Sequence, residues 1–278
     1  MQLKIDIYKE KRKIDNCVDA LKAKSLITNS FENLYFKEAT HQYYLFSEGK
    51  RIQLPSVSHT THLFKQKQDW DTIALNYAIK HEMLKEEVQD AWRWNNLKAT
   101  NSGSNTHVFG ESAFYFYQGF KEQVLERNAN QFEEGWLLPN SPKEEAILSF
   151  WENEIVDKEN IVPLLSESRI YTLKYGYAGT FDLSTWDTKR KGIYIRDYKT
   201  NADVYKNFNL QRLLSPFEDL LDCDYSFYTL QLSLYQIPFE DLGIPILGRQ
   251  LIWLKEDGSY ELLEVEDRTE ELRNYLKK

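Results

Sequence analysis

Gly176-Tyr-Ala-Gly-Thr-Phe-Asp182 and Ile193-Tyr-Ile-Arg-Asp197-Tyr-Lys199-Thr200 decide how this chain is read. Tyr177 to Trp186 follows Gly176 and is rich in aromatic and β-branched residues, which predicts a strand. Asp187-Thr-Lys-Arg-Lys-Gly192 is polar and ends in a turn glycine. Gly192 to Tyr198 predicts the returning strand of an antiparallel hairpin. Residues two apart on a strand share a face, so Asp197 and Lys199 point the same way. Pairing across the turn brings Asp182 beside them. Converging carboxylates repel unless a cation sits between them, and hard, oxygen-seeking Mg²⁺ or Mn²⁺ suits that place. The lysine can offset charge on a transition state or orient an attacking water. Together these groups describe metal-assisted hydrolysis of a phosphodiester.

Gly179-Thr-Phe-Asp182 followed by Arg196-Asp197-Tyr198-Lys199-Thr200 resembles the core of the PD-(D/E)XK nuclease superfamily, and most of all its RecB-type exonuclease branch. Three further segments resemble that branch in order. Gly103-Ser104-Asn105-Thr106-His107, then Glu111, resembles its upstream helix motif, which contributes a histidine to the metal site. Ser166-Glu167-Ser168-Arg169 resembles its glutamate-bearing strand, and Gln231-Leu-Ser-Leu-Tyr235 its Gln-x-x-x-Tyr helix motif.

The resemblance implies an α/β fold with a restriction-endonuclease-like mixed central sheet flanked by helices. It implies an N-terminal β-hairpin and helical extension over 1–100 and a nuclease core over 101–278. Independently, the inferred order of helix, strands, helix and strand suits a mixed sheet between helices. By resemblance, His107, Asp182 and Asp197 are metal ligands and the Tyr198 carbonyl completes the shell. Lys199 is the catalytic lysine and Glu167 an accessory acid. Gln231 and Tyr235 hold the site or the nucleic-acid strand, and Glu111 and Thr200 support it. The cofactor is one or two Mg²⁺ or Mn²⁺ ions. The implied activity is that of a deoxyribonuclease, with exonuclease action as the expected mode, on single- or double-stranded DNA. Recombination, repair or phage DNA processing is the implied setting, with recombination or repair proteins as partners. Two departures stand out. Several members of the branch hold an iron–sulfur cluster on four cysteines, whereas this chain has two, Cys17 and Cys223, so no such cluster is expected. Asp197 stands where many relatives have glutamate.

The 278 residues suffice for one large domain or a core with an added lobe, and 42% hydrophobic residues permit a sizeable core. The formal net charge of −8 weighs against a nucleic-acid partner, because phosphates reward Lys and Arg. A local basic channel can coexist with an acidic whole, and acidic metal ligands add to the negative count. No apolar run reaches membrane-spanning length, and Met-Gln-Leu-Lys-Ile-Asp-Ile lacks a signal-peptide core. Two distant cysteines fit a reducing interior. A cytoplasmic protein is expected, in the host cytoplasm if the gene is viral.

Around these motifs, residues 1–30 are charged and read as a strand and helix or an arm. Phe31 to Leu54 reads as a β-hairpin or meander with a Glu48-Gly49 turn. Ser56 or Ser58 caps a following helix. Asp69 to Leu97 predicts a long amphipathic helix, continuous or broken, with Trp92 and Trp94 as core anchors in preference to base-stacking surfaces. Ala99 to Gly103 reads as a loop, and a new helix from Ser104 or Asn105 carries His107 and Glu111 four apart. A single histidine on a helix is ordinarily structural. Its place before a glutamate, hairpin and lysine series favours a ligand, which Glu111 would orient unless it is a solvated surface charge. Ser141-Pro142 starts another helix, and Glu167 precedes a strand at Ser168. Residues 202–222 read as irregular and then helical. Asp224 to Ile237 reads as a helix, Arg249–Leu254 and Tyr260–Val265 as paired strands, and Asp267–Lys278 as a closing helix.

Three other functions compete. A non-catalytic nucleic-acid-binding or structural protein on the same fold would not need Lys199. A glycosidase would explain Asp182 and Asp197 but neither Lys199 nor His107. An interaction module rich in surface Tyr and Trp would show no metal binding.

Overall fold

The structure is a computed structural model that describes residues 13–47 and 49–277. The expectations for residues 1–12, for Glu48 in the meander turn and for Lys278 lie outside the described residues. Helix α1 (Val18–Phe31) buries Ala20, Ala23, Ile27 and Phe31, a helical stripe at three- and four-residue steps. Strands β1 (Leu34–Lys37), β2 (Gln42–Ser47) and β3 (Lys50–Leu54) form an antiparallel meander. Ser56 caps helix α2 (Val57–His62), its hydroxyl accepting the His59 N–H at 3.0 Å. Helix α3 (Trp70–Lys80), capped by Asp69, precedes α4 (Lys85–Tyr117), so the long amphipathic segment is broken between them.

Helix α4 departs from expectation at residues 99–103, which are helical. Ser, Asn and Gly are poor helix formers, but helix on both sides propagates through them at no nucleation cost. Thr106 Oγ1 also donates back to the Ser102 carbonyl at 2.8 Å. Of the two expected tryptophan anchors, Trp92 packs and Trp94 does not. Trp92 is half-buried against Ala74, Ala78 and Val88, whereas Trp70 and Trp94 are 62% and 64% exposed and anchor no core.

Helix α5 (Lys121–Asn128) and the short pair β4 (Phe132–Glu133) and β5 (Trp136–Leu137) lead to α6 (Pro142–Trp151). Ser141 caps α6 with Pro142 in its first turn, and a π-helical turn, Glu152–Val156, extends it. Then come β6 (Ile161–Thr172), β7 (Tyr177–Asp187) and β8 (Gly192–Lys199). Residues 202–222 contain no helix. Arg212 bridges to Leu221 and donates to the Glu218 and Asp219 carbonyls, while Pro216 removes a helical donor. Helix α7 (Asp224–Asp241), β9 (Ile246–Leu254), β10 (Tyr260–Glu264) and α8 (Thr269–Leu276) complete the chain.

The five strands make one mixed sheet in the order β10-β9-β8-β7-β6. Only β8 and β9 run parallel, and the long crossover that parallel pairing needs supplies α7. Helices cover both faces. On one, α1, α7 and α8 set Ile27, Leu234 and Leu272 against Ile170, Phe181 and Ile195. On the other, α4 and α6 set Phe109, Ala113 and Trp151 against Leu183, Tyr198 and Ile252. Each fully buried Leu, Ile or Phe contributes about 1.5–3 kcal/mol, so these two cores hold the sheet rigidly between them. Phe181 joins one core and Leu183 the other, although residues two apart on a regular strand share a face. The alternation of β7 breaks at Asp182.

Candidate metal centre

The break in β7 lies where three strands lose their regular pairing. The β6–β7 register passes from Ser166↔Leu183 to Ser168↔Phe181, which puts Glu167 across from Asp182 without a ladder pair. Glu167 lies within β6, not before the strand as the sequence suggests, and has φ +45°. A β-branch-free but long side chain in the left-handed region is uncommon and strained, the kind of kink that re-aims a side chain. The β7–β8 ladder ends at Leu183↔Arg196, one step short of Asp182 and Asp197. Asp182 turns its carboxylate into the gap, and Oδ2 accepts the freed Tyr198 N–H at 2.8 Å. Ser166 Oγ steadies the same segment by donating to the Asp182 carbonyl at 2.9 Å.

Helix α4 delivers His107 to this point. Its Nδ1 lies 3.2 Å from Asp182 Oδ2 and 3.8 Å from Glu167 Oε1. Glycine permits the approach: a methyl group at Gly110 would come within 2.7 Å of the Tyr198 ring. Trp151 Nε1 donates to the Tyr198 hydroxyl at 2.9 Å and fixes that ring from beneath. His107, Glu167 and Asp182 offer ligand atoms that all lie within 4.8 Å of one another, which makes them a possible metal-binding group. Burial draws the His107 imidazolium down, but Asp182 and Glu167 outweigh it and hold its pKa well above the usual value. Burial, with repulsion from Asp182, pushes Glu167 up to about 7 despite His107. Burial also opposes ionisation of Asp182, and His107 overrides it to lower the pKa. The imidazole thus sits between two carboxyl groups, a place that a cation could take.

Asp197 is buried on the other side of the gap, where its Oδ2 pairs with the Lys199 ammonium. Burial and then Asp182 push the Asp197 carboxyl up to about 6, with Lys199 opposing. Burial would lower Lys199, but Asp197 and then Tyr228 and Asp182 raise it above its ordinary value. The Asp197 carboxylate thus favours the charged form of Lys199. Gln231 Oε1 accepts from Lys199 Nζ at 3.3 Å, and Gln231 Nε2 donates to the Tyr235 hydroxyl at 3.0 Å. The ammonium also lies 4.0 Å from the Tyr228 ring centre.

The candidate residues thus fall into two sets. His107, Glu167 and Asp182 meet on one side, and Asp197, Lys199, Gln231 and Tyr235 on the other. The grouped donors differ from the implied ligand set, with Glu167 where Asp197 was expected. Tyr198 meets Asp182 through its backbone N–H. Thr200 Oγ1 lies against Gly103 of α4, 3.5 Å from where a side chain would start. Glu111 does not orient His107, because Arg127 Nε holds it at 2.8 Å.

The sequence reading gave no role to Tyr228 or to the residues behind it. The Tyr228 hydroxyl donates to Asn201 Oδ1 at 2.7 Å, and Asn201 Nδ2 donates to Asp224 Oδ2 at 2.7 Å. One signal was available, since Tyr228 stands a single helical turn before Gln231. A cleft of ≈ 810 Å³ opens onto His107 and Glu167, walled by α4 and by the β1–β3 meander. No helix among the described residues is long and apolar enough to cross a membrane.

The chain matches no family model and no curated protein. Among solved structures it is similar to a candidate exonuclease from Eubacterium rectale, at 16% identity and a TM-score of 0.39. That likeness covers 62% of this chain and 64% of the other, so the chain spans less than two thirds of that protein's length.

Proposed function

We propose that the chain is a metal-dependent nuclease that hydrolyses DNA phosphodiester bonds, a PD-(D/E)XK protein of the RecB-type branch acting as an exonuclease. The observation that carries this is the meeting of His107, Glu167 and Asp182 within 4.8 Å, next to a buried Asp197–Lys199 pair. One nitrogen and carboxylate oxygens fit Mg²⁺ or Mn²⁺, and Asp197 adds a buried carboxylate that is paired with Lys199. DNA as substrate and exonuclease action rest on the motif series from Gly103 to Tyr235.

His107, Asp182 and Glu167 would hold the cation, with Asp197 and the Tyr198 carbonyl closing on it. A divalent ion there supplies Lewis-acid polarisation of a phosphate oxygen and lowers the pKa of a bound water. The chain's own groups do the rest. Lys199 stays protonated and stabilises negative charge that develops on the phosphate, which favours charge compensation over a base role. Gln231 and Tyr235 fix the ammonium in place, so no reorganisation accompanies the reaction. Tyr198 pins Asp182 through its backbone N–H. Asp197 keeps Lys199 charged and keeps it aimed at the gap.

The test is cleavage of end-labelled single- and double-stranded DNA with Mg²⁺, with Mn²⁺ and with EDTA, beside Asp182→Asn. Metal-dependent cleavage that the variant lacks is the expected result, with a product ladder that steps from an end. A folded wild type that neither cleaves DNA nor binds Mn²⁺ overturns the proposal in favour of a non-catalytic protein on the same fold.

A further inference from the structure

The cleft beside the carboxylates has cationic side chains that the roles above leave aside. Arg127 lies on one wall, but it is committed to Glu111 and stacks over the Tyr115 ring at 4.6 Å. Arg169 stands two residues beyond Glu167 on β6, lines the same cleft and is exposed. It makes no ion pair and no hydrogen bond among the described residues. Across the ladder it faces Thr180, whose hydroxyl meets the Tyr43 hydroxyl at 3.0 Å. The nearest acid along its strand, Glu167, is engaged by His107. A guanidinium with five unspent donors, held on the edge strand β6 beside a candidate phosphate-cleaving group, matches the geometry of a phosphate oxyanion.

We propose that Arg169 is a positioning residue that grips a backbone phosphate of the nucleic-acid strand while a neighbouring phosphate lies at His107, Glu167 and Asp182. The inference rests on the nuclease reading and deepens it. Two residues along a strand cover about 6.6 Å, so both contacts fall on one short stretch of substrate. Arg169 supplies affinity and register rather than chemistry. An acidic chain of net charge −8 thereby binds a polyanion through a local cation in its cleft.

The experiment measures the dissociation constant of a short end-labelled single strand, and of its duplex, in Ca²⁺ over a KCl series. It compares wild type, Arg169→Ala, Arg169→Lys and, far from the cleft, Lys22→Ala. Arg169→Ala is expected to weaken binding about tenfold and to flatten the slope of log affinity against log salt by about 0.7–0.9, the loss of one phosphate contact. Arg169→Lys restores the slope but only part of the affinity, because it loses the bidentate fork. Lys22→Ala behaves as wild type. Mn²⁺ binding by Arg169→Ala, followed by calorimetry, stays at the wild-type value. An unchanged affinity and slope in Arg169→Ala, alongside metal-dependent cleavage by wild type, overturns this inference and leaves the nuclease reading standing. Lost Mn²⁺ binding in Arg169→Ala overturns it too, by exposing a structural role. A wild type that binds neither oligonucleotide overturns both.

Discussion

Asp182 and Asp197 are the same residue on neighbouring strands at the same height in the sheet, and their surroundings drive them apart. Asp182 is buried behind the cleft-lining His107 and Glu167, with the imidazole 3.2 Å away and a backbone N–H donating at 2.8 Å, and its pKa is lowered. Asp197 faces the buried helix α7 with one ammonium beside it, and its pKa is pushed up to about 6 by burial and by Asp182. The helix packed on each side makes the difference. Helix α4 brings a histidine and glycines and leaves its face of the gap open. Helix α7 brings Gln231, Tyr235 and Tyr228 and seals the other. Environment, more than residue type, gives two carboxylates two functions.

The sharpest way to break this comparison is to remove the charge of Asp182. Asp182→Asn keeps an oxygen for the Tyr198 N–H but loses a ligand, so cleavage should fall below detection and Mn²⁺ affinity should collapse, with the melting curve little changed. Chelation of wild type should reproduce the loss of cleavage and reverse on adding Mn²⁺. Detectable cleavage by the variant would remove Asp182 from the metal side. On the sealed side, Lys199→Met should lower kcat by roughly 10²–10³, the scale of losing one preorganised charge-stabilising donor. Its Mn²⁺ affinity should stay near wild type. If metal binding fell in step with turnover, the two sides would be one unit.

Two glycines of α4 sharpen the comparison through stability. Gly110→Ala drives a methyl group into the Tyr198 ring at 2.7 Å, and overpacking of this kind costs about 1–3 kcal/mol. At Gly103 the same methyl group meets only Thr200 Oγ1 at an ordinary 3.5 Å, so Gly103→Ala should stabilise by up to about 1 kcal/mol from helix propensity. Thermal melts of the two variants should shift in opposite directions. Equal shifts would mean that α4 does not approach the sheet where His107 requires it.

The hairpin is legible in the sequence because aromatic and β-branched residues end at a polar turn with a glycine. The shared face of Asp197 and Lys199 follows from strand period alone. The Ser56 and Ser141 caps and the four-residue step from Gln231 to Tyr235 are local features, and each forms its contact. What sequence could not show depends on tertiary context. A polar run at 99–103 looks like a loop until both flanks are known to be helical. Glu167 looks like a residue before a strand because nothing in Ser-Glu-Ser signals a left-handed backbone. Strand period would place Phe181 and Leu183 on one face, and the kink at Asp182 divides them between two cores. Glu111 and Arg127 are sixteen residues apart, and only the α4–α5 packing makes them partners.

The hydrogen bond from the Tyr198 amide to Asp182 is also a native spectroscopic probe. An amide proton whose nitrogen lies 2.8 Å from a carboxylate oxygen is deshielded by the charge it points at. In a ¹H–¹⁵N correlation spectrum, the Tyr198 cross-peak therefore reports the electrostatic state of Asp182 without any label at the site. A diamagnetic ion such as Mg²⁺ would draw charge from that oxygen and move the peak upfield. The same peak follows titration by any cation, one residue away from the lysine that must remain undisturbed.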